Sequence, residues 1–416
     1  MKKVPEIRFN GFKGDWTVKL LDDIFRKVTD KNTDNALVET FTNSAQDGIV
    51  SQRDFFNHDI SNSENIHGYY VVRPDDFVYN PRMSVTAPVG PINRNRLGRA
   101  GVMSPLYTVF KAKNSNYNLG FVEYFFKTDK WHSFMWKNGD NGARGDRFSI
   151  RDEILKLMPI TLPPSNKEQS DISTFFDNLD EYISSQALEL QKLKNIKKAC
   201  LEKMFPKEGE LVPEIRFNGF EGNWERTTLN NFLETKVEKN ENDKYNKYDI
   251  FSVSGEYGVV NQIEFQGKSF AGASLKGYKV THPGQVIYTK SPLKAQPYGI
   301  IKTNNATDGV VSTLYAVYEP KGEVDTSFIQ YYFELDGRLN NYLRPLVNKG
   351  AKNTLLISDD DALKGYVTFP KDVTEQKEIT KYFLCLDNFI YNAVKKLDKL
   401  KQIRKGLLEK MFVANN

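Results

Sequence analysis

Two long stretches of this chain place apolar residues at alternating three- and four-residue steps. The first seam reads Ile172, Phe176, Leu179, Ile183, Gln186, Leu190, Leu193, Lys197, Cys200 and Met204. The second reads Ile379, Phe383, Leu386, Ile390, Ala393, Leu397, Leu400, Arg404, Leu407 and Met411. This spacing draws one narrow apolar stripe along a helix, the pattern of a coiled coil. Each predicted helix covers about 40 residues, roughly 60 Å at the α-helical rise. Pro163-Pro164 and then Ser165-Asn-Lys-Glu168 mark the first start, a capping box with Ser as N-cap and Glu at N3. Pro370 and then Asp372-Val-Thr-Glu375 mark the second. Pro206 cannot continue the first helix. So narrow a stripe predicts that the helices pack on each other, antiparallel, as a spacer. Lys197 and Arg404 interrupt the stripes and are expected to set register or to face a partner's acidic group.

Outside the helices, Val, Tyr and Phe alternate with polar residues and predict strands. These segments come in pairs. Gly68–Pro74 matches Gly277–Pro283, Tyr79 matches Tyr288, Gly101–Phe110 matches Gly309–Tyr318, and Phe121–Phe126 matches Phe328–Phe333. Val4-Pro-Glu-Ile-Arg-Phe-Asn-Gly-Phe-Lys-Gly-Asp-Trp16 returns at Val212–Trp224 with 11 of 13 residues identical. Leu201-Glu-Lys-Met-Phe205 returns at Leu408–Phe412. The chain is therefore one unit written twice. The expected division is a mixed domain over 1–164, a helix over 165–208, a second mixed domain over 209–371 and a second helix over 372–416.

The 416 residues are 39% hydrophobic and 13% aromatic, an ordinary globular balance. The net charge is only +5, so a basic surface would need charge segregation. Between Asp76 and Glu123 there is no acidic residue, while Arg82, Arg94, Arg96, Arg99, Lys111 and Lys113 all fall there. The matching stretch, Phe265–Tyr318, holds Lys268, Lys276, Lys279, Lys290, Lys294 and Lys302 against Asp308 alone. One basic run is usually a solvated face. Two at equivalent places in a nearly neutral chain point to nucleic acid, whose phosphates Lys and Arg neutralise. A Gly-rich loop, Asn138–Arg147, and its counterpart, Val347–Thr354, add Arg144, Arg147, Lys349 and Lys352 as candidate contacts.

Signals for catalysis are missing. Gly267-Lys-Ser269 lacks the glycine a phosphate loop needs five residues earlier. Asn80-Pro-Arg-Met83 lacks the second proline and the aromatic with which amino-methyltransferases hold a target amine. The four histidines show no metal spacing. Cys200 and Cys385 do not occupy matching positions, which suits a reducing compartment. No membrane span or secretory signal is expected, and the cytoplasm is the expected location. The readings in play are a nucleic-acid binder, a scaffold of two sugar- or protein-binding domains, and an enzyme acting on nucleic acid.

The doubled Val-Pro-Glu-Ile-Arg-Phe opener, Asp76-Phe-Val-Tyr-Asn-Pro-Arg82, Ser104–Phe110 and the Leu-Glu-Lys-Met-Phe helix ends resemble the specificity subunit of Type I restriction–modification enzymes. The resemblance spans essentially the whole chain. It implies an α+β fold of two repeated target-recognition domains, related by a pseudo-twofold and joined by an antiparallel coiled-coil spacer. It implies no chemistry by this chain. Each recognition domain would bind one half of a bipartite double-stranded DNA target, and the helices would set the gap. Partners would be two modification subunits, which bring S-adenosylmethionine and methylate adenine N6, and restriction subunits, which bring ATP and Mg2+. Arg82 to Arg99 and Arg144 to Arg147 would then serve one half-site. Lys290 to Lys302 and Lys349 to Lys352 would serve the other. The second copy departs at Asn80-Pro-Arg82, where it has Thr289-Lys-Ser291. The partner is expected on outer helix faces carrying Leu188, Ile196, Leu201, Leu384, Ile403 and Leu408, the alternative being that these are buried against the chain's own domains.

Overall fold

A computed structural model describes residues 4–56, 63–141, 145–270, 272, 274–290, 296–349 and 355–414, with backbone alone at 63–65 and 349. The chain divides into two compact units. Unit 1 is Met1–Ala187 with Lys396–Asn416, and unit 2 is Leu188–Lys395. The compact units thus cut through both long helices instead of separating them from the mixed domains.

Unit 1 is built on β1 (Phe25–Lys27), β2 (Phe77–Tyr79), β3 (Ile92–Arg94) and β4 (Thr108–Ala112), in the antiparallel order β1-β4-β2-β3. Helix α1 (Leu119–Phe126) follows, then the long helix α2 (Asn166–Lys203). Unit 2 repeats this with β5 (Leu233–Thr235), β6 (Val286–Thr289), β7 (Ile300–Thr303) and β8 (Tyr315–Pro320), in the order β5-β8-β6-β7. Helix α3 (Thr326–Tyr332) and the long helix α4 (Val373–Met411) complete the copy. Even the tight contacts recur. A Cβ at Gly90 would lie 2.0 Å from Asn80 O, and one at Gly299 would lie 1.9 Å from Thr289 O.

Two local expectations are corrected. Phe121–Phe126 and Phe328–Phe333 are helical, not strands, apart from the terminal Phe333. A short apolar run cannot be assigned by periodicity alone. Here capping decides: Asn118 Oδ1 accepts the Phe121 N–H at 2.9 Å, and Asp325 Oδ1 accepts the Phe328 N–H at 3.0 Å. Residues 120–126 are all buried, so α1 is apolar on nearly every side, with Glu123 as its one charged residue.

The second correction concerns Glu168 and Glu375. The Glu168 N–H does donate to Ser165 Oγ, at 3.4 Å. Its carboxylate, however, does not reach back to the cap. It takes a two-pronged contact from the Arg8 guanidinium at 2.7 and 2.8 Å, and the Trp16 indole N–H at 3.3 Å. Glu375 holds Arg216 and Trp224 at the same distances. The doubled opener is thus a clamp on a helix start. It also closes a helix end: the Ile7 N–H donates to Lys410 O at 3.1 Å, and the Ile215 N–H to Lys203 O at 2.9 Å.

Each unit therefore contains the start of one long helix and the end of the other. In unit 1, Leu408, Met411, Phe412 and Val413 join the core, and Phe412 packs 5.1 Å from Phe121 and 6.0 Å from Phe176. Asp180 meets Arg404. In unit 2, Phe205 packs 5.4 Å from Phe328 and 5.9 Å from Phe383, while Lys197 pairs with Asp387 at 2.7 Å. Within each unit, numbers on one helix fall as those on its partner rise, so the segments run antiparallel. The interrupting Lys197 and Arg404 each meet a carboxylate on the opposite helix. The seam residues Phe176, Leu179, Ile183, Leu190 and Leu193, and Phe383, Leu386, Ile390, Leu397 and Leu400, are all buried or half-buried. For Leu201 and Leu408 the alternative to an outer face holds: they are 4% and 6% exposed and belong to the cores. Leu188, Ile196, Leu384 and Ile403 do face solvent.

The repeat supplies a control for one strained group. The Asp76 side chain is buried and accepts the Arg73 N–H at 2.8 Å; at the matching place Gln285 accepts the His282 N–H at 2.8 Å. Burial pushes the Asp76 carboxyl up to about 6. A carboxyl raised on folding costs stability above that value and ceases to cost as both states take the proton. Asp76→Asn keeps the acceptor and removes the charge. It is expected to stabilise unit 1 by about 1–3 kcal/mol at pH 7, the gain fading toward pH 4. Chemical denaturation at the two pH values checks this.

Candidate nucleic-acid interface

The acid-free stretch of sequence is not an acid-free surface. Arg94 pairs with Glu123 at 2.9 Å and with Asp75 at 3.4 Å. Arg96 pairs with Glu123 at 2.7 Å and with Asp177 of the long helix at 2.8 Å. Arg99 grips both oxygens of Glu39 at 2.7 Å. These arginines tie β3 and its loop to α1, α2 and the strand region before them. Their carboxylate partners come from segments outside the stretch, so charge counted along the chain could not reveal them.

The second copy behaves likewise. Lys290 and Lys279 both bind Asp359, the latter at 2.6 Å. Burial alone would raise the Asp359 carboxyl, but hydrogen bonds from the two ammonium groups hold it below the ordinary range. Lys302 is 4% exposed and paired with Glu334. Its place is inside the unit, so it leaves the set of surface candidates. Lys276 makes an exposed contact with Asp243 at 3.4 Å. Arg144, Lys294, Lys352 and the side chain of Lys349 lie outside the described residues.

Arg82, Arg147 and Lys268 have no carboxylate partner among the described residues. Arg82 and Arg147 are brought together, since their backbones pair as an antiparallel bridge. Arg82 is exposed. It lines an open cavity of about 460 Å³, together with Asn43, Gln52, Phe55, Phe56 and Tyr107. Two of these rings, Phe55 and Phe56, are exposed and set edge to face at 4.8 Å. In unit 2 a cavity of about 1030 Å³ is lined by Asn246, Lys247, Tyr248, Lys268 and Lys276. Lys247 lies over the Tyr248 ring at 5.1 Å, and Lys268 over Phe270 at 4.9 Å. Tyr248 and Phe270 are 62% and 61% exposed, so these cation–ring pairs stand in water.

Lys247 and Tyr248 escaped the charge count because Asp243 and Asp249 flank them. The signal that finds them is Lys244-Tyr245-Asn246-Lys247-Tyr248, cations interleaved with rings, which suits nucleic acid because every base offers a π-face. Among the described residues, no three His, Cys, Asp or Glu side chains are placed to hold a metal ion, and no helix is long and apolar enough to cross a membrane.

No protein-family model matches the chain. In sequence it is similar to a protein of Methanocaldococcus jannaschii assigned as the specificity subunit of the type I restriction enzyme MjaX. The two are 24% identical over 320 residues, which cover 73% of this chain and 69% of that protein. In structure it is similar to the type I restriction–modification S subunit of M. genitalium. There the TM-score is 0.60 and the identity 15%, over 99% of this chain and 100% of the other. A chain from a type I restriction–modification system, solved to explain complex assembly and conformational transition, gives a TM-score of 0.52 and 13% identity. That match covers 95% of this chain and 97% of the other. The fold of this chain is that of type I specificity subunits.

Proposed function

We propose that this chain is the DNA sequence-specificity subunit of a type I restriction–modification enzyme. One observation carries the reading: a single fold occurs twice in the chain, and each copy presents a different cation-and-ring cavity. Duplication preserves the strand order, the opener clamp and the helix contacts. It does not preserve every cavity residue: Phe55 returns as Phe265, but Arg82 and Phe56 have Ser291 and Gln266 at their places by alignment, and the cavity of the second copy carries Lys247, Tyr248 and Lys268 instead. A protein that binds two different half-sites of one DNA target needs that combination.

On this reading the cations meet phosphates and bases, and binding weakens steeply with salt. The long helices set the gap between half-sites, since a stiff element fixes distance better than a loose linker. Two modification subunits carry S-adenosylmethionine and methylate adenine N6, reaching the base by flipping it out of the duplex. Restriction subunits bring ATP and Mg2+. The exposed Leu188, Ile196, Leu384, Phe389 and Ile403 of the long helices suit contact with such partners. The assembly works on cytoplasmic DNA and asks no catalysis of this chain. Co-expression with its modification subunit in a methylation-free host, followed by single-molecule sequencing of N6-methyladenine, tests the reading. A new bipartite methylated motif is the expected result. Methylation that appears without any modification subunit, or a copurifying complex that methylates nothing, would overturn it.

A further inference from the structure

We infer that Arg82 reads a guanine in the half-site of unit 1. This deepens the specificity-subunit reading and rests on it. Four observations converge on this residue. Its side chain is exposed and has no partner among the described residues, whereas Arg94, Arg96 and Arg99 are each committed to carboxylates. Its backbone is pinned. The Arg82 N–H donates to Asn80 Oδ1 at 2.9 Å, and Asn80, itself 8% exposed, donates from Nδ2 to Asn43 O at 2.8 Å. On either side, Pro81 O accepts the Phe148 N–H at 2.7 Å and the Met83 N–H donates to Asp146 O at 3.0 Å. The side chain thus springs from a rigid platform, which lowers the entropy lost on binding. Finally, it lines the same open cavity as the exposed phenyl pair Phe55 and Phe56.

A cation that only neutralises phosphate needs no such platform. A free guanidinium on fixed backbone suits directional contact instead. Its two parallel N–H groups match guanine O6 and N7 in the major groove, which no other base pair presents in that arrangement. Asn and Gln side chains match adenine, but the nearby Asn43 amide is already committed to Val78 O at 2.7 Å. Gln52 differs from its twin Gln262, which accepts the Phe270 N–H at 2.8 Å: the Gln52 Oε1 is buried with no partner among the described residues, whereas the Arg82 side chain is exposed. In the second copy Ser291 occupies the place of Arg82 by alignment, so the feature belongs to one half-site only.

The test uses the chain with its modification subunit in a methylation-free host and reads the methylated motif of the unsubstituted chain and of Arg82→Ala. The unsubstituted motif is expected to contain a guanine that Arg82→Ala relaxes to several bases, with the other half-site unchanged. An unchanged motif in Arg82→Ala overturns this inference alone, as does relaxation at a position that is not guanine. An unsubstituted chain that directs no methylation overturns the specificity-subunit reading and this inference together. Should Arg82→Ala methylate nothing, its purified complex is compared on four duplexes differing at that guanine. Loss of a preference of about 5- to 150-fold, the worth of one bidentate arginine–guanine pair, supports the assignment, and a retained preference overturns it.

Discussion

Removing residues 396–416 will open unit 1 and leave unit 2 folded. The deletion is at the C-terminus, yet the damage is expected at the N-terminal end of the sequence. Leu408, Met411, Phe412 and Val413 fill the core of unit 1 beside Trp16, Phe121 and Phe176. Each buried apolar side chain of this size is worth about 1.5–3 kcal/mol, and a domain holds only about 5–15 kcal/mol in reserve. Losing four exhausts that margin. Unit 2 takes its equivalent residues, Leu201, Met204 and Phe205, from within Leu188–Lys395 and loses nothing. Hydrogen exchange read peptide by peptide will show α1 unprotected and α3 protected. Protection lost in α3, or retained in both, would contradict the assignment of these residues to unit 1. The single changes should mirror each other: Phe412→Ala costs about 3–5 kcal/mol in unit 1 and Phe205→Ala the same in unit 2.

This arrangement shows how much the sequence exposed. The repeat, the seams and the antiparallel helix pairing were legible because they rest on periodicity and on identical residues at fixed offsets. For Lys197 and Arg404 the sequence left two roles open, setting register or facing an acidic group, and the structure gives each a carboxylate on the opposite helix. The role of the opener was not legible, because a clamp between Arg8, Trp16 and Glu168 joins residues about 150 positions apart. Nor was the fate of the basic stretches. Glu39, Glu123, Asp177 and Asp359 fall outside the counted window for the first copy or the second, and only folding brings them to Arg99, Arg94, Arg96 and Lys290. Counting charge along a chain overstates a surface wherever strands return carboxylates to it. Rings interleaved with cations survive folding better as a signal: at Tyr248 and Phe270 both the ring and the cation over it stay exposed. Even the two copies trade charges in the interior. Unit 1 has the buried Glu123 on α1 and the exposed Lys127 just after it, whereas unit 2 has Gln330 and the half-buried Glu334 at the same places.

That interior trade yields the second large effect. Glu334→Gln is expected to destabilise unit 2 by about 3–5 kcal/mol, because it strands Lys302 in a site with almost no water. Lys302 has 5% of its side chain exposed, and Glu334 15%. Glu334 also binds Lys197 at 3.2 Å, but Lys197 retains Asp387 at 2.7 Å after the change, so the unpaired charge is Lys302. Burial by itself would raise the Glu334 carboxyl; the ammonium groups of Lys302 and Lys197 outweigh it and hold the group below the ordinary glutamate range. An acid depressed on folding stabilises above its unfolded value and loses that contribution as pH falls through the folded one. The loss in Glu334→Gln should therefore be full at neutral pH and shrink in strong acid. Replacing both partners, Lys302→Met with Glu334→Leu, removes the charge and the need for its partner together, and should recover most of the stability. Equilibrium denaturation of the three variants measures this. The same double variant should bind DNA with the salt dependence of the unsubstituted chain, since Lys302 is spent inside the unit and releases no counterion from phosphate. A shallower salt slope would return Lys302 to the DNA surface and contradict its burial.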